Sequence, residues 1–508
     1  MAGKVYLVGA GPGDPGLITL KAAGCLARAD VVVYDNLANP ELLNMAPQAE
    51  KIYVGKKAAA HTMAQEEINQ LLVALGRQGK QVVRLKGGDP MVFGRGGEEA
   101  AALAAAGVDF EVVPGVTSAI AAPAYAGIPV TDRRAASAVA FVTGHEDPTK
   151  GGSTIPWQAL AHIPTLVVLM GVGNLEAICT QLVAAGRDPA TPAAVVERGT
   201  TPRQRLVRAP LGELAEAAAR AGVRPPAVIV VGEVVEIGRE LNWYQNLPLF
   251  GKRVLVTRAR AQASRLSQGL RELGAEVLEV PTIEIAPPPD PAALEKLARE
   301  LGTYGWVVFT SANAVEAVFA ALKRIGADAR AFGGAKVAAI GPATAEALKA
   351  KGIKADLTAK TFVAEALAEE LVARGVKGKR VVLPRAAKAR DVLPRALEQA
   401  GAQVDVVAAY TTRPPKDTSE QLAKAVEEGL DVITLTASST AVNLMELLPA
   451  PQRQRLVELA AKDKIVVGAI GPITARAAQQ AGLKVHIMPD TYTIPALIQA
   501  LVEHFSRP

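Results

Sequence analysis

The second half of this 508-residue sequence contains an internal duplication. The segment GKRVLVTRARA at Gly251 recurs as GKRVVLPRAAKAR at Gly378, and VVFTSANAV recurs as VITLTASSTAV. A third segment, AAIGPATAEALKAKGIK around Gly341, recurs as GAIGPITARAAQQAGLK around Gly471. The three offsets are 127, 126 and 130 residues, which is far too long a period for a solenoid repeat. We therefore expect two similar α/β lobes with a cleft between them.

Strand-like and helix-like segments alternate along the whole chain, which predicts an α/β fold with mostly parallel sheets. Half of the residues are hydrophobic but only 4% are aromatic, so the core must consist of Ala, Val, Leu and Ile. The clearest predicted strands are Val5–Val8, Val31–Tyr34, Ile52–Val54, Val82–Leu85 and Thr165–Met170, and the clearest predicted helix is Leu17–Ala29. Pro and aromatic residues interrupt the pattern at 242–250, which predicts two domains, 1–246 and 247–508.

Composition excludes several classes of protein. No apolar run approaches the roughly 18 residues of a membrane span, and the N-terminus lacks the pattern of a signal peptide. Cys25 and Cys179 are far apart and are expected to be core residues, as is typical of a reducing, cytoplasmic compartment. The five histidines lack metal-ligand spacing, so we expect no metal site. The net charge of +6 is spread along the chain, which argues against nucleic-acid binding.

A glycine-rich loop, GAGPGDPG at Gly9–Gly16, follows the first predicted strand. Glycines let a backbone approach a ligand closely. Asp35 ends the next predicted strand, at the place where a dinucleotide-binding fold has its ribose-binding acid. By itself this pattern favours a nicotinamide-dependent oxidoreductase or a purely structural turn. Pro12 in the loop and Asp14 in place of the third glycine both count against the first interpretation.

Four further segments resemble the tetrapyrrole methylase family, specifically uroporphyrinogen III C-methyltransferase. They are RLKGGDPMVFGRGGEE, PGVTSAIAAPAYAGIPVTDR, LMG and ERGT, within residues 3–240. The resemblance implies two α/β lobes with S-adenosylmethionine between them, and methylation of uroporphyrinogen III at carbons 2 and 7 to precorrin-2. Methylases of this type are often homodimers, so the resemblance implies a dimer through this half.

The resemblance assigns residues to three roles. Asp35 matches the proposed proton acceptor and Lys56 the proposed proton donor. The residues that match cofactor contacts are Pro12, Gly87, Gly88, Asp89, Val92, Thr117, Ser118, Met170 and Gly199. Asp89 could instead cap a helix, and Met170 could instead be ordinary core. The substrate carries eight carboxylates, so its candidate ligands are Arg84, Lys86, Arg95, Arg133 and Arg134, unless these form only a solvated basic face.

The duplicated half resembles uroporphyrinogen III synthase over residues 251–505, through TSANAV, AAIGPATA, AAYTTRP and GAIGPITA. The resemblance implies two lobes joined by a two-stranded ladder, Pro281–Ile285 with Ala408–Thr412, so repeats need not coincide with lobes. It implies closure of hydroxymethylbilane with loss of water and inversion of the last ring. Tyr410 matches a tyrosine beside the cleft, and the predicted substrate-binding hydroxyls are Ser311, Thr344, Ser438 and Thr474. Helix N-capping is the alternative for Thr344 and Thr474.

Together the two resemblances predict a bifunctional enzyme of tetrapyrrole biosynthesis, with an N-terminal two-lobed tetrapyrrole methylase fold followed by a C-terminal two-lobed synthase fold. The two activities would be consecutive steps, leading to sirohaem or to cobalamin. The alternatives are a methyltransferase fused to a non-catalytic bilobed ligand-binding module, and the nicotinamide-dependent oxidoreductase.

Overall fold

The computed structural model describes residues 3–55, 63–145, 154–258, 260–359, 364–389 and 391–506. The chain forms two compact units, which divide between Lys252 and Arg253, except that residues 270–276 group with the first unit. The division of activities predicted at residue 246 stays a prediction.

The first sheet of the N-terminal unit is fully parallel, in the strand order β3-β2-β4-β1-β5. Its strands are β1 Lys4–Gly9, β2 Val31–Tyr34, β3 Glu50–Tyr53, β4 Gln81–Lys86 and β5 Phe110–Val113. The helices that accompany them are α1 Leu20–Ala27, α2 Gln65–Arg77, α3 Gly96–Ala105 and α4 Ser118–Tyr125. Valine and leucine fill both faces of this sheet, as expected when helices cover both sides of parallel strands.

The predicted helix over residues 17–29 begins later than expected. A 3-10 turn at Pro15–Leu17 precedes it, and α1 starts at Leu20 because the Thr19 hydroxyl accepts a hydrogen bond from the Ala22 backbone N–H at 3.2 Å. The side chain of Thr19 therefore caps the helix and sets its first residue.

The second sheet of this unit is an exception to the expected mostly parallel sheets. Its strands are β6 Val139–Thr143, β7 Thr165–Leu169, β8 Pro192–Glu197, β9 Arg205–Pro210 and β10 Ala227–Val231, in the order β6-β7-β10-β8-β9. Only β6 and β7 are parallel, and the other pairs are antiparallel. The accompanying helices are α5 Trp157–Leu160, α6 Leu175–Ala184, α7 Leu214–Arg220 and α8 Val234–Ile237. Cys25 and Cys179 are buried in the cores on the two sheets, as predicted.

The C-terminal unit contains two more sheets. Its strands are β11 Arg253–Val256, β12 Glu276–Glu279, β13 Glu284–Ala286, β14 Trp306–Phe309, β15 Lys336–Ala339, β16 Leu357–Thr358, β17 Arg380–Ala386, β18 Gln403–Arg413, β19 Val432–Leu435 and β20 Val466–Ala469. Its helices are α9 Arg260–Glu272, α10 Pro291–Glu300, α11 Ala312–Arg324, α12 Pro342–Ala350, α13 Ala364–Ala373, α14 Val392–Gln399, α15 Thr418–Glu428, α16 Ser438–Leu447, α17 Ala450–Ala461, α18 Pro472–Gln480 and α19 Ile494–Ser506.

The two sequence repeats do not form separate sheets. One sheet has the order β12-β11-β19-β20, and the other has the order β13-β18-β17-β14-β15-β16. Strand β11 of the first repeat pairs with β19 of the second, and β17 of the second pairs with β14 of the first. An antiparallel ladder forms as expected, but it pairs Glu284–Ala286 with residues 411–413 at the end of β18, and not Pro281–Ile285 with Ala408–Thr412. Each lobe therefore combines strands from both repeats.

No helix in the described parts of the chain is long and apolar enough to cross a membrane.

Candidate functional site

Four loops meet at one edge of the first sheet, where the parallel strands β1, β2, β4 and β5 end. The residues in these loops that the sequence singled out are Pro12, Asp35, Gly87, Gly88, Asp89, Val92, Arg95 and Thr117. In open α/β sheets, ligands bind outside the carboxyl ends of the strands. We therefore expect a ligand-binding site at this edge of the sheet.

Three glycines let the loops after β1, β4 and β5 touch through their backbones. A Cβ atom on Gly9 would lie 2.5 Å from the Gly115 Cα, and one on Gly115 would lie 2.4 Å from the Gly88 carbonyl oxygen. Gly88 also has a φ of 67°, a conformation that favours glycine. Gly88 N–H donates to the Gly11 carbonyl at 2.7 Å, and Gly11 N–H donates back at 3.2 Å. A larger residue at this junction would push the loops apart.

The Asp89 carboxylate ties the loop after β4 to the loop after β5. Its Oδ2 accepts a hydrogen bond from the Gly115 N–H at 3.0 Å, and its Oδ1 accepts one from the Met91 N–H at 2.7 Å. Helix α3 begins at Gly96 and has Arg95 at its N-cap position. The alternative that Asp89 caps this helix is therefore wrong.

The loop that contains Pro12 is joined to the second lobe of the same unit. Asp14 N–H donates to Thr200 Oγ1 at 3.2 Å, and the Tyr125 hydroxyl donates to Asp14 Oδ2 at 2.7 Å. Burial, together with this hydrogen bond, raises the pKa of Tyr125. A Cβ on Gly199 would lie 2.4 Å from the Ala122 Cβ, so glycine allows the loop after β8 to pack on α4. Pro12 and Gly199 are thus brought into neighbouring loops.

The other residues expected to contact a cofactor lie in the same unit. Thr117 caps α4, whose first residue is Ser118, by accepting a hydrogen bond from the Ala119 N–H at 3.3 Å. Val92 is half-buried in the loop between Asp89 and α3. Met170 follows β7 with a φ of 56° and is 51% exposed. The alternative that Met170 is ordinary core is therefore wrong.

The carboxylate of Asp35 lies at this edge and is partly exposed. It follows β2 and is 26% exposed, with Oδ1 accepting from the Leu37 N–H at 3.1 Å. Its Oδ2 lies 3.0 Å from Nη2 of Arg84. A carboxylate that is held on one side and open on another can accept a proton from a ligand. Lys56, the expected proton donor, lies outside the described residues.

Arg84 and Lys86, predicted to bind substrate carboxylates, are 3% and 5% exposed. They lie two residues apart on β4, so they share one face of the strand. Arg84 Nε lies 3.1 Å and Lys86 Nζ 2.8 Å from the same oxygen of Glu99, which is fully buried. Burial and the Arg84 charge lower the pKa of Lys86, and Glu99 opposes this effect. Both cations therefore lie behind Asp35 rather than on an open surface.

The remaining arginines lie on the surface. Arg95 is bidentate to Glu98, with nitrogen–oxygen distances of 2.8 and 2.7 Å, and it holds the pKa of Glu98 below its usual value. Arg133 and Arg134 are exposed, and Arg134 pairs with Asp132 at 3.0 Å. These three cations are accessible to an anionic ligand.

The glycine junction fits the S-adenosylmethionine that the resemblance implies. Any side chain at Gly9 or Gly115 would fill the space where the loops meet, and the loops offer backbone donors and acceptors. Pro12, Gly87 and Gly88 in these loops would hold the cofactor.

In the C-terminal unit, Tyr410 lies on β18 and is 8% exposed. Its hydroxyl lies 3.2 Å from Ser311 Oγ, which also accepts a hydrogen bond from the Ala314 N–H and so caps α11. Tyr410 thus packs within its lobe but keeps its polar end at the start of a helix.

The hydroxyls of Thr344 and Thr474 do not cap helices, although capping was the alternative for both. The N-cap positions of α12 and α18 are Gly341 and Gly471, and each threonine lies inside its helix and is almost fully buried. Among the described residues, neither threonine hydroxyl has a hydrogen-bond partner. The first residue of α16, Ser438, is exposed.

Glu99, Asp14 and Tyr125 were not identified from the sequence. The signal for Glu99 was present, because two cations spaced i, i+2 on a buried strand require a buried counter-charge. Asp14 and Tyr125 are 111 positions apart, and no local pattern predicts their contact.

Two family models match this chain, in the order that the motifs predicted. The model described as "Tetrapyrrole (Corrin/Porphyrin) Methylases" matches residues 4–215, and the one described as "Uroporphyrinogen-III synthase HemD" matches residues 264–499.

Three similar proteins cover all or part of this chain. The "Porphyrin biosynthesis protein HemD" of Ruminiclostridium josui is 39% identical over 505 residues, which is 99% of this chain and 98% of that protein. The "S-adenosyl-L-methionine-dependent uroporphyrinogen III methyltransferase" of Methanosarcina barkeri is 55% identical over 237 residues, 46% of this chain and 93% of that protein. A crystal structure of the Thermus thermophilus uroporphyrin-III C-methyl transferase complexed with S-adenosyl homocysteine is 51% identical, with a TM-score of 0.41, over 46% of this chain and 100% of that one. The chain therefore belongs to the family in which a tetrapyrrole methylase is followed by a uroporphyrinogen-III synthase.

Proposed function

We propose that the C-terminal half closes hydroxymethylbilane to uroporphyrinogen III and that the N-terminal half methylates this product at carbons 2 and 7 to give precorrin-2. Two molecules of S-adenosylmethionine would be consumed. The similarity to one relative along 99% of the chain is the observation that carries the pairing of the two activities. We place them in residues 1–246 and 247–508.

In the methyltransferase, the loops around Gly88, Gly115 and Asp89 would hold the cofactor, together with Pro12 and Gly199. When bound, S-adenosylmethionine supplies a sulfonium methyl group that is already electrophilic. This chain therefore has to orient an electron-rich pyrrole carbon and take up the proton that leaves the macrocycle afterwards. Asp35 would accept that proton, because its carboxylate is partly exposed beside the glycine junction.

The substrate carboxylates would be bound by the exposed arginines. Arg95 and Arg133 are accessible and present planar donors that match carboxylates. Arg84 and Lys86 are buried, so we propose that they act on the substrate through Asp35 and not by direct contact.

In the synthase, the hydroxyl pair of Tyr410 and Ser311 would assist departure of the substrate's hydroxyl group. The phenol would donate its proton to the leaving oxygen, which departs as water and leaves an electrophilic methylene carbon. This carbon would form the ring-closing bond to the last pyrrole, which is inverted in the product, and the proton released on closure would return to the phenolate. Ser311, at 3.2 Å, supports the phenol. Thr344, Ser438 and Thr474 are the further substrate-binding hydroxyls that the family resemblance implies, and of these Ser438 is exposed, whereas Thr344 and Thr474 are almost fully buried.

A coupled assay with freshly prepared hydroxymethylbilane tests the proposal. We expect uroporphyrinogen III as the product and, after addition of S-adenosylmethionine, a dimethylated product. Binding of substrate without turnover would favour the ligand-binding module for the C-terminal half. Measured binding of NAD, without binding of S-adenosylhomocysteine, would favour the oxidoreductase.

We further propose a homodimer formed through the methyltransferase half and a cytoplasmic location. The dimer rests on the family resemblance, and the location rests on two separate, buried cysteines. Light scattering on the purified protein measures the mass directly, and a monomer would contradict the dimer.

A further inference from the structure

A buried ion network lies directly behind Asp35. At its centre is Glu99 on α3, which has no exposed surface. Glu99 Oε1 accepts hydrogen bonds from Arg84 Nε at 3.1 Å, from Lys86 Nζ at 2.8 Å and from Gln65 Nε2 at 3.2 Å. Its other oxygen, Oε2, is buried and has no hydrogen-bond partner among the described residues.

Burial of these ions lowers the stability of the folded chain. Each buried ion loses its solvation by water, and a buried carboxylate oxygen without a hydrogen-bond partner adds to that cost. A well-packed apolar cluster of the same volume would often be as stable. Stability of the fold alone therefore does not account for this network.

Arg84 connects Glu99 to Asp35. Its Nε donates to Glu99 and its Nη2 donates to Asp35 Oδ2 at 3.0 Å. The guanidinium group is planar and rigid, so fixing Nε also fixes the direction in which Nη2 points. The position of Glu99 thus determines where Arg84 can hold the Asp35 carboxylate.

We propose that Glu99 is a positioning residue for methyl transfer, which acts through Arg84 to hold Asp35 at the edge of the glycine junction. This inference rests on the proposed role of Asp35 as proton acceptor.

The charges support the same conclusion. The groups that face one another are Arg84 and Lys86 from β4, Glu99 from α3 and Asp35 after β2, with neutral Gln65 from α2. Without the charge of Glu99, the two buried cations would have Asp35 as their one remaining anion within this network. Asp35 would then be drawn towards them, and would be a poorer acceptor for a substrate proton.

Glu99→Gln removes the charge and keeps the shape, and Glu99→Asp keeps the charge but shortens the side chain. Misplacement of a reacting group by about 1 Å can cost about 100-fold in rate. We therefore expect Glu99→Gln to lower kcat by roughly 10- to 100-fold while KM changes by less than about threefold. Glu99→Asp should recover part of this loss and should fold even if Glu99→Gln does not. The exposed Glu66 on α2 supplies the matched control, Glu66→Gln, which should have wild-type kcat.

Two further readouts do not depend on turnover. Calorimetry should find S-adenosylhomocysteine affinity within about twofold of wild type in both Glu99 variants. A crystal structure of Glu99→Gln should have the Arg84–Asp35 contact lengthened or lost. If both variants bind S-adenosylhomocysteine more weakly, and if Glu99→Asp loses as much kcat as Glu99→Gln, then Glu99 has only a structural role. That result would overturn the proposal.

A double mutant separates this inference from the proposed function. In an Asp35→Asn background, Glu99→Gln should cause no further loss, because both changes affect one group. A full additional loss would mean that Glu99 acts independently of Asp35, which overturns the inference. Wild-type turnover in Asp35→Asn would refute the role of Asp35 itself. Wild-type turnover in Glu99→Gln, beside an impaired Asp35→Asn, would refute the positioning role alone.

Discussion

Replacement of Gly115 by alanine tests whether the glycine junction holds the cofactor. The new Cβ would lie 2.4 Å from the Gly88 carbonyl oxygen and 2.7 Å from the Gly9 Cα, whereas ordinary contacts begin near 3.4 Å. Both neighbours are backbone atoms, so the loops must separate by up to ~1 Å, an overpacking that typically costs about 1 to 3 kcal/mol. Binding that requires the loops at their native separation must supply this energy, and each 1.4 kcal/mol is about a tenfold change in affinity, so binding should weaken by about 5- to 150-fold.

The assay is calorimetric titration with S-adenosylhomocysteine, together with thermal unfolding. Gly97→Ala is the matched control, because a Cβ at Gly97 would meet nothing within 4 Å. Gly97 lies in α3, where alanine is favoured over glycine by up to about 1 kcal/mol, so this variant should bind normally and be no less stable. If Gly115→Ala binds S-adenosylhomocysteine as tightly as the wild type, the cofactor does not depend on this junction.

Four further predictions concern the two proposed activities and the stability of the fold. Asp35→Asn should lower the methylation rate about 100-fold or more while S-adenosylhomocysteine still binds, and unchanged turnover would leave Asp35 a structural role. Tyr410→Phe should slow ring closure by roughly 10- to 100-fold and increase the share of the uninverted isomer, whereas a normal rate would mean that Tyr410 only packs. Residues 1–246 and 247–508, produced separately, should each fold and keep one activity, and loss of synthase activity without the first half would contradict the division. Burial and a hydrogen bond to a carboxylate on β18 raise the pKa of Tyr304 to about 12, so the folded chain holds this proton more tightly than the unfolded chain. The stability that this proton contributes is present below pH 10.0 and is lost as the pH rises through about 12. In urea unfolding, the free energy of unfolding of Tyr304→Phe should therefore fall less than that of the wild type between about pH 9 and about pH 11.5. Equal losses would contradict the raised pKa of Tyr304.

Local patterns predicted much of the methyltransferase half. The predicted strand Val31–Tyr34 has the same bounds as β2, because β-branched valines and tyrosine pack well in a buried strand. The predicted helix at 17–29 was wrong at its start, since the Thr19 cap outweighed the apolar pattern. Most strand pairs are parallel, as predicted, and the main exception is the second sheet, where β8, β9 and β10 pair antiparallel. The alternation of strands and helices does not determine whether two strands pair parallel or antiparallel, because a long connection allows the next strand to run in either direction.

Spacing within the chain identified the residues of the loops but not their partners. The sequence predicted that Arg84 and Lys86 bind substrate carboxylates, whereas in the structure both residues pair with Glu99. Periodicity indicates which face of a strand is buried but not which side chain covers it. Spacing also left open that Thr344 caps α12, but the N-cap position of this helix is Gly341, which has no side chain to cap it.

The sequence by itself determined the α/β class, the duplication and the two families, because all three depend on motifs within short stretches of chain. Only the tertiary structure decided which strands share a sheet in the second half, where β11 and β19 pair across the repeats. It also decided that Asp35, Arg84 and Glu99 form one connected network. Contacts of this kind join residues that are 15 to 179 positions apart, and their geometry arises from packing, which no local pattern encodes.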